Sequence, residues 1–111
     1  MNKNDSFTFL AQIFRGLNIA VSMITFMCLC SGYKEYFPEA EKVDEAYKVF
    51  FKSLNNALDG EKVITSAIIK NGNTFLDELE SFQALPPAKN KDIKKLIGDM
   101  RKDTREVLRA S

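Results

Sequence analysis

The stretch that decides the fold is Gly16–Gly32, with the sequence GLNIAVSMITFMCLCSG. It contains no charged residue and ends close to two cysteines. Three structures suit such a stretch: a helix that spans a membrane, the core of a secretion signal, and a buried helix of a soluble bundle. The choice among them determines the compartment in which the protein works.

Apolar residues recur through this region at alternating steps of three and four, which is typical of a helix that packs along one side. The series is Phe7, Leu10, Phe14, Leu17, Val21, Ile24 and Cys28. A polar set follows one flank of the same helix and consists of Thr8, Arg15, Asn18, Ser22 and Thr25. A helix surrounded by lipid has no need of a polar flank. We therefore expect a bundle helix near residues 6–31 whose apolar series faces the core.

The alternative is that residues 1–32 form an export signal or a membrane anchor. The run at 16–33 carries no charge and is marginally long enough to span a membrane. Against a signal, the cleavage site near Gly32 is poor, and apolar residues in helical rhythm already precede Arg15. We therefore expect a cytoplasmic protein, with an exported or membrane-anchored one as the alternative.

Two further helices are predicted in the middle of the chain. Pro38 suits the first turn of a helix near 38–59, and Gly60 suits its C-terminal end. The next helix, near 61–85, has a weak point at 71–73, where the sequence Asn-Gly-Asn interrupts the pattern. This segment is either one helix with a weakened middle or two short helices.

A fourth helix is predicted near 90–110, with Asn90 as its N-terminal cap. The length of 111 residues suits one domain. Each of the last three helices has one apolar side, on which residues recur at helical spacing. The predicted core residues are Val43, Tyr47, Phe50, Leu54 and Ala57 in the second helix, Ile64, Ile68, Phe75, Leu79 and Phe82 in the third, and Ile93, Leu96, Ile97, Met100, Thr104, Val107 and Leu108 in the fourth. Together the four segments predict an all-α protein, an antiparallel four-helix bundle that occupies residues 1–111. In the alternative, residues 33–111 form a three-helix domain behind the N-terminal segment.

The composition argues against catalysis and metal binding. The chain has no His, which is the usual general base and a common metal ligand. Cys28 and Cys30 are two residues apart, so they point in different directions on a helix and lack further ligands. We expect no enzyme activity, no cofactor and no metal site.

The formal charge of +1 gives no general attraction to nucleic acid. Basic residues are frequent from Lys89 onward, but acids alternate with them and no aromatic residue lies among them for base stacking. We expect a solvated face there and no nucleic acid as a partner.

Protein binding is the remaining class of function. Ile19, Met23 and Phe26 lie outside the 3-4 series and make the first helix more apolar than one buried stripe requires. They are the candidate binding face, and as such we expect them to be partly exposed in a monomer. The alternative is that the first helix is the most buried one and that these residues lie at the centre of the bundle. The predicted function is that of an adaptor, inhibitor or immunity-like protein that binds another protein or a second copy of itself. In the alternative, membrane association occurs through residues 16–33.

Overall fold

The computed structural model describes the backbone of residues 3–56 and 65–110, and the side chains of residues 10–56 and 66–110. In these ranges the chain forms four α-helices: α1, Lys3–Cys30; α2, Phe37–Asn55; α3, Thr65–Gln83; and α4, Lys91–Ala110. Short 3-10 turns at Lys34–Tyr36 and Pro86–Lys89 precede α2 and α4, and no strand occurs in the described ranges. The prediction of an all-α four-helix bundle is confirmed.

Local signals in the sequence account for several helix ends. Pro38 lies in the first turn of α2, where its missing N–H is not needed. Asn90 caps α4 as predicted, because its side-chain oxygen accepts hydrogen bonds from the backbone N–H groups of Asp92 at 2.9 Å and Ile93 at 3.2 Å. The Asn90 amide also donates to the Tyr33 hydroxyl oxygen at 3.3 Å, which joins the α1–α2 connection to the start of α4. The predicted boundary at residues 59–61 lies outside the described residues.

The predicted weak point of the third helix is not a break, because α3 runs through it without interruption. Gly72 lies where α3 approaches α2 and α4 closely. A Cβ atom on Gly72 would be 2.6 Å from a methyl group of Leu108 and 3.1 Å from the ring of Phe50. Beside it, the Asn71 side-chain amide donates to the Ser53 hydroxyl oxygen at 2.6 Å. The small residue at this point therefore serves helix packing rather than a turn.

The helices are antiparallel neighbours in chain order, with α1 beside both α2 and α4. The side-chain amide of Gln12, near the start of α1, donates to the carbonyl oxygen of Val107, near the end of α4, at 3.4 Å. The bundle is elongated, with extents of 47 × 20 × 19 Å. One side of α1 faces away from the other helices, since Phe14, Val21 and Ile24 on that side are each more than 60% exposed.

Each helix contributes one stripe of buried side chains to the core. For α2 to α4 the predicted stripes are confirmed, and their fully or nearly fully buried members are Val43, Tyr47, Phe50, Leu54, Ile68, Phe75, Leu79, Phe82, Ile93, Ile97, Met100, Thr104 and Val107. The predicted members Ala57 and Ile64 lie outside the described residues. Periodicity was sufficient here because each of these helices has a single apolar side.

For α1 the predicted orientation is wrong, and the two sides of the helix are exchanged. The members of the series from Leu10 to Cys28, which were expected to face the core, face solvent, with Phe14 63% and Val21 66% exposed. Phe7, the first member of the series, lies outside the described side chains. Ile19, Met23 and Phe26, which were expected to be partly exposed, are buried in the core together with Cys30.

The reason is that both sides of α1 carry apolar residues at three- and four-residue steps, so spacing alone does not distinguish them. Gly16 lies on the same side as Ile19 and Phe26. It leaves room for α2, since a Cβ atom there would be 2.8 Å from the Phe51 ring. Close packing on the glycine side turns the other apolar side outward.

Candidate functional site

The most extended apolar feature on the surface of the described residues is a row of side chains along α1, which we name the α1 seam. Its members are Leu10, Phe14, Leu17, Val21, Ile24 and Cys28. The first five are 46%, 63%, 46%, 66% and 67% exposed, in that order. Single exposed apolar residues are normal on a soluble protein, whereas a contiguous row of this kind is typical of an interaction site.

The spacing of the α1 seam explains why its members form one line. Successive members are four, three, four, three and four residues apart, close to a whole number of turns on a helix with about 3.6 residues per turn. At ~1.5 Å per residue, the row from Leu10 to Cys28 is about 27 Å long. This spacing is the pattern through which helices pair in coiled coils.

The two flanks of the α1 seam differ in polarity. On one flank lie the exposed Asn18 and Thr25, followed by the half-buried Ser22. The Thr25 hydroxyl donates to the carbonyl oxygen of Val21 at 3.3 Å, so that this polar group is satisfied within the helix. On the other flank, next to Leu17 and Ile24, lies the small, half-buried Ala20. The polar flank also includes Arg15, which is half-buried. A partner of the α1 seam would therefore meet one polar edge and one apolar edge.

The predicted binding face lies on the opposite side of α1. Ile19, Met23 and Phe26 are 0%, 2% and 0% exposed. The Phe26 ring packs edge-on against the ring of Phe82 in α3, with centroids 5.0 Å apart. These three residues hold the bundle together and cannot meet a partner while it stays folded. The 3-4 apolar series that forms the exposed surface is visible in the sequence, but its spacing alone predicts a stripe that faces the core.

The two thiols of α1 have different environments. Cys28 is exposed at the end of the α1 seam, and Cys30 is buried. Burial raises the pKa of the Cys30 thiol to about 11, so this thiol stays protonated and unreactive near neutral pH. Among the described residues, no group of three His, Cys, Asp or Glu side chains could hold a metal ion. The region around α1 therefore offers apolar contact rather than ligation.

In the described part of the chain, the main pKa shifts of acidic groups are caused by burial in the fold. Burial, and to a smaller extent the Asp44 carboxylate, raise the pKa of Tyr47 to about 12. Burial also raises the pKa of Asp103, and the Arg15 guanidinium partly opposes that shift. Tyr47 lies in α2 and Asp103 in α4. These two described groups do not form an acid–base pair in one cleft, which is the arrangement that a catalytic site would need.

The charged residues of α4 point mainly to solvent. Its exposed cations are Lys91, Lys94, Lys95, Lys102, Arg105 and Arg109. Arg109 forms an ion pair with Glu106 at 3.2 Å, and Arg101 donates to the side-chain oxygen of Gln83 in α3 at 3.0 Å. Exposed contacts of this kind contribute little to stability. The interpretation of this surface as a solvated face is retained.

By length and composition, α1 is also able to cross a membrane. The apolar part is Leu10–Cys30, and 33% of it is buried inside the bundle. A core helix of a soluble protein or an N-terminal signal sequence can also be this long and this apolar, so length and composition do not distinguish the three. In this structure one side of the helix packs in the core and the other is exposed.

No protein-family model matches this chain, and neither a curated protein nor a solved structure does. What the protein does is therefore inferred from its own residues and their geometry.

Proposed function

We propose that this protein acts by protein–protein binding, as a small non-enzymatic bundle whose α1 seam docks the partner. The observation that carries the proposal is the row of five large apolar side chains exposed along one line of α1. An adaptor, an inhibitor or an immunity-like protein works in this way, by contact rather than by chemistry. A cytoplasmic location accords with the exposed free thiol of Cys28, which stays reduced there.

The cost of leaving the α1 seam in water supports the proposal. Its exposed fractions amount to roughly 600 Å², the upper end of the largest apolar patch on a typical monomer. At ~25 cal/mol per Å², burial of that area is worth on the order of 15 kcal/mol before the costs of association. A polar residue in place of Val21 or Ile24 would reduce the exposed apolar area without loss of any core contact. A purely structural role for α1 does not explain the row.

A second candidate function, membrane association through α1, is favoured by the length of Leu10–Cys30. To span a bilayer, α1 would have to leave the bundle. The core around Phe82, which Phe26 covers, would then be exposed to water. The bundle would lose one of its four core stripes, which is a large cost for a domain whose net stability is typically about 5–15 kcal/mol. Protein binding requires no such rearrangement.

Photocrosslinking inside the cells that produce the protein tests the proposal. A benzophenone amino acid in place of Val21 should form covalent adducts with a protein, because the α1 seam contacts one. The same probe in place of Val49, which is 54% exposed on α2, is the matched control and should form none. Adducts with lipid alone at position 21 would overturn the proposal in favour of membrane association. Absence of adducts at position 21, or equal adducts at both positions, would also overturn it.

A further inference from the structure

We infer that the partner of the α1 seam is the α1 seam of a second copy of this chain, in an antiparallel helix pair related by a two-fold axis. The inference rests on the proposed function, since it names the partner of the same surface. It is carried by the area of the seam, by the order of large and small side chains along it, and by the polarity of its flanks.

Two α1 seams together offer about the area that a stable dimer needs. One seam exposes roughly 600 Å², so a pair that covered both seams completely would bury about 1,200 Å² from the seam residues. Contact between the flanking residues adds to this area, and about 1,200 Å² is the lower limit of a standard interface. Elsewhere in the described residues the large exposed apolar side chains are isolated, Val49 on α2 and Ile69 on α3. Within that part of the chain, no other apolar surface is as large as the α1 seam. The α1 seam of a second copy is therefore the matching surface that this chain itself provides. Such self-complementary pairing closes after two copies.

An antiparallel pair matches large side chains with smaller ones along the α1 seam. With the two-fold axis at the level of Ile19, midway between Leu17 and Val21, Leu17 lies opposite Val21 of the second copy. By the same symmetry, Phe14 lies opposite Ile24 of the second copy. In a parallel pair each residue would face the same residue of the second copy. Two Phe14 rings would then hold the helices apart, and the smaller side chains of two Val21 residues would leave a gap between the helices. Close packing therefore favours the antiparallel arrangement.

The flanks of the α1 seam favour the same arrangement. In an antiparallel pair the two-fold axis places polar flank beside polar flank. Asn18 lies one residue from the centre, so its two copies are about 3 Å apart along the helix axis, and their amides can exchange hydrogen bonds. In a parallel pair Asn18 would lie beside the flank that carries Ala20, without a hydrogen-bond partner.

A lipid surface suits the α1 seam less well than a helix does. Helices that lie on membranes carry Lys or Arg beside the apolar face, and residues 16–33 contain neither. Arg15, the nearest cation in sequence, is half-buried and lines the groove between α1 and α4. The amide and hydroxyl groups of Asn18 and Thr25 on the polar flank instead suit a second helix with the same flank.

The oligomeric state of the purified full chain tests the inference. Sedimentation equilibrium over a wide range of chain concentrations should show monomers in equilibrium with dimers. Val21→Lys should raise the dissociation constant by about 100-fold, because the two-fold axis brings the substitution into the interface twice. Val49→Lys, at a similarly exposed position on α2, is the control and should leave the constant unchanged. Circular dichroism should show that both variants are folded.

A wild-type chain that stays monomeric throughout the concentration range would overturn the inference. An unchanged dissociation constant in Val21→Lys would also overturn it. Either result leaves the proposed function standing if the photocrosslinking probe at position 21 still captures a different protein. If that probe captures no protein and the purified chain is monomeric, both proposals fail together.

Cysteine crosslinking tests the direction of the pair. Asn18→Cys, combined with Cys28→Ser, should form a covalent dimer with a short bismaleimide because the two copies of position 18 are adjacent. In the wild type, the two copies of Cys28 would be about 27 Å apart along the helix axis and should not crosslink. A parallel pair would give the opposite result at both positions and would overturn the antiparallel arrangement. Addition of Val21→Lys should abolish the crosslink, and its persistence would mean that the contact lies elsewhere.

Discussion

The phenol hydroxyl of Tyr47 in α2 donates a hydrogen bond to the backbone carbonyl oxygen of Gly16 in α1, at 2.9 Å. This contact requires a close approach of the two helices, which the missing side chain of Gly16 permits. A Cβ atom there would be 2.8 Å from the Phe51 ring and 3.3 Å from a methyl group of Leu54. The Gly16 side of α1 is thereby held against α2. Because the α1 seam lies on the other side, the same contact leaves the seam exposed.

Tyr47→Phe should lower the free energy of unfolding by about 0.5–1.5 kcal/mol, because it removes one buried hydrogen bond and keeps the ring. The ring should remain stacked on Phe51, from which its centroid is 5.8 Å distant. Urea unfolding measures the change, and Tyr36→Phe, at a half-buried tyrosine outside the core, is the control. Equal changes in the two variants would show that the bond to Gly16 has no special role.

The exchange of the two sides of α1 predicts opposite outcomes for two phenylalanines of one helix. Phe26→Ala should lower the free energy of unfolding by about 3–5 kcal/mol, because it opens a cavity beside Phe82. Phe14→Ala should change it by no more than about 0.5 kcal/mol, because that ring is 63% exposed. Both are best measured in the Val21→Lys background, where the seam no longer pairs. A larger effect at Phe14 than at Phe26 would restore the orientation that the sequence pattern had predicted.

Two helical glycines should respond to alanine in opposite directions. Gly98→Ala should raise the free energy of unfolding by about 0.5–1 kcal/mol, since Gly98 is exposed in α4 and a Cβ atom there would meet open space. Gly72→Ala should lower it by about 1–3 kcal/mol, because the new methyl group crowds Leu108 and the buried ring of Phe50. Denaturant unfolding of the two variants gives the comparison.

A double-mutant cycle isolates the cause at Gly72. In a Leu108→Ala background the methyl group at position 72 has room, so Gly72→Ala should become much less destabilising. In a continuous helix, the helix propensities of Gly and Ala alone favour a gain in stability from Gly72→Ala. The helix is continuous, but contact with two other helices reverses the expected sign. A gain in the otherwise unchanged protein would contradict the close packing seen here.

Stability should depend little on pH between about 6 and 8, because the chain has no His. Burial raises the pKa of Cys30 from 9.0 to about 11 and that of Tyr47 from 10.0 to about 12. The unfolded chain therefore loses these protons at lower pH than the folded chain does. It follows that stability is fully present below about pH 9 and falls as pH rises from 9 towards 12.

Urea unfolding at a series of alkaline pH values measures this loss. Tyr47→Phe should reduce the fall between pH 10 and 12 and leave the part due to Cys30 in place. A profile that stays flat up to pH 11 in the wild type would contradict the burial of Cys30.

The sequence predicted the bundle because α2, α3 and α4 each have one apolar side. In α4, for example, Ile93, Ile97 and Met100 are buried at the predicted positions, and Lys94 and Lys95 point to solvent. A helix with one apolar side has one favourable orientation, since any other would expose that side to water. Asn90 and Pro38 predicted helix starts for equally local reasons. The helix starts and the buried sides of α2 to α4 depend on residues close together in the chain, so they can be predicted from the sequence.

The sequence by itself thus determined that the chain forms four helices, which sides of α2 to α4 are buried, and that α1 is apolar on two sides. Only the tertiary structure decided which side of α1 enters the core. Both sides have the same spacing, and the choice depends on the fit of Gly16 against Phe51 and Leu54, residues far away in the chain. The sign of the effect at Gly72 depends in the same way on Phe50 and Leu108. Contacts between distant residues are decided by shape complementarity in three dimensions, which periodicity along one helix does not contain.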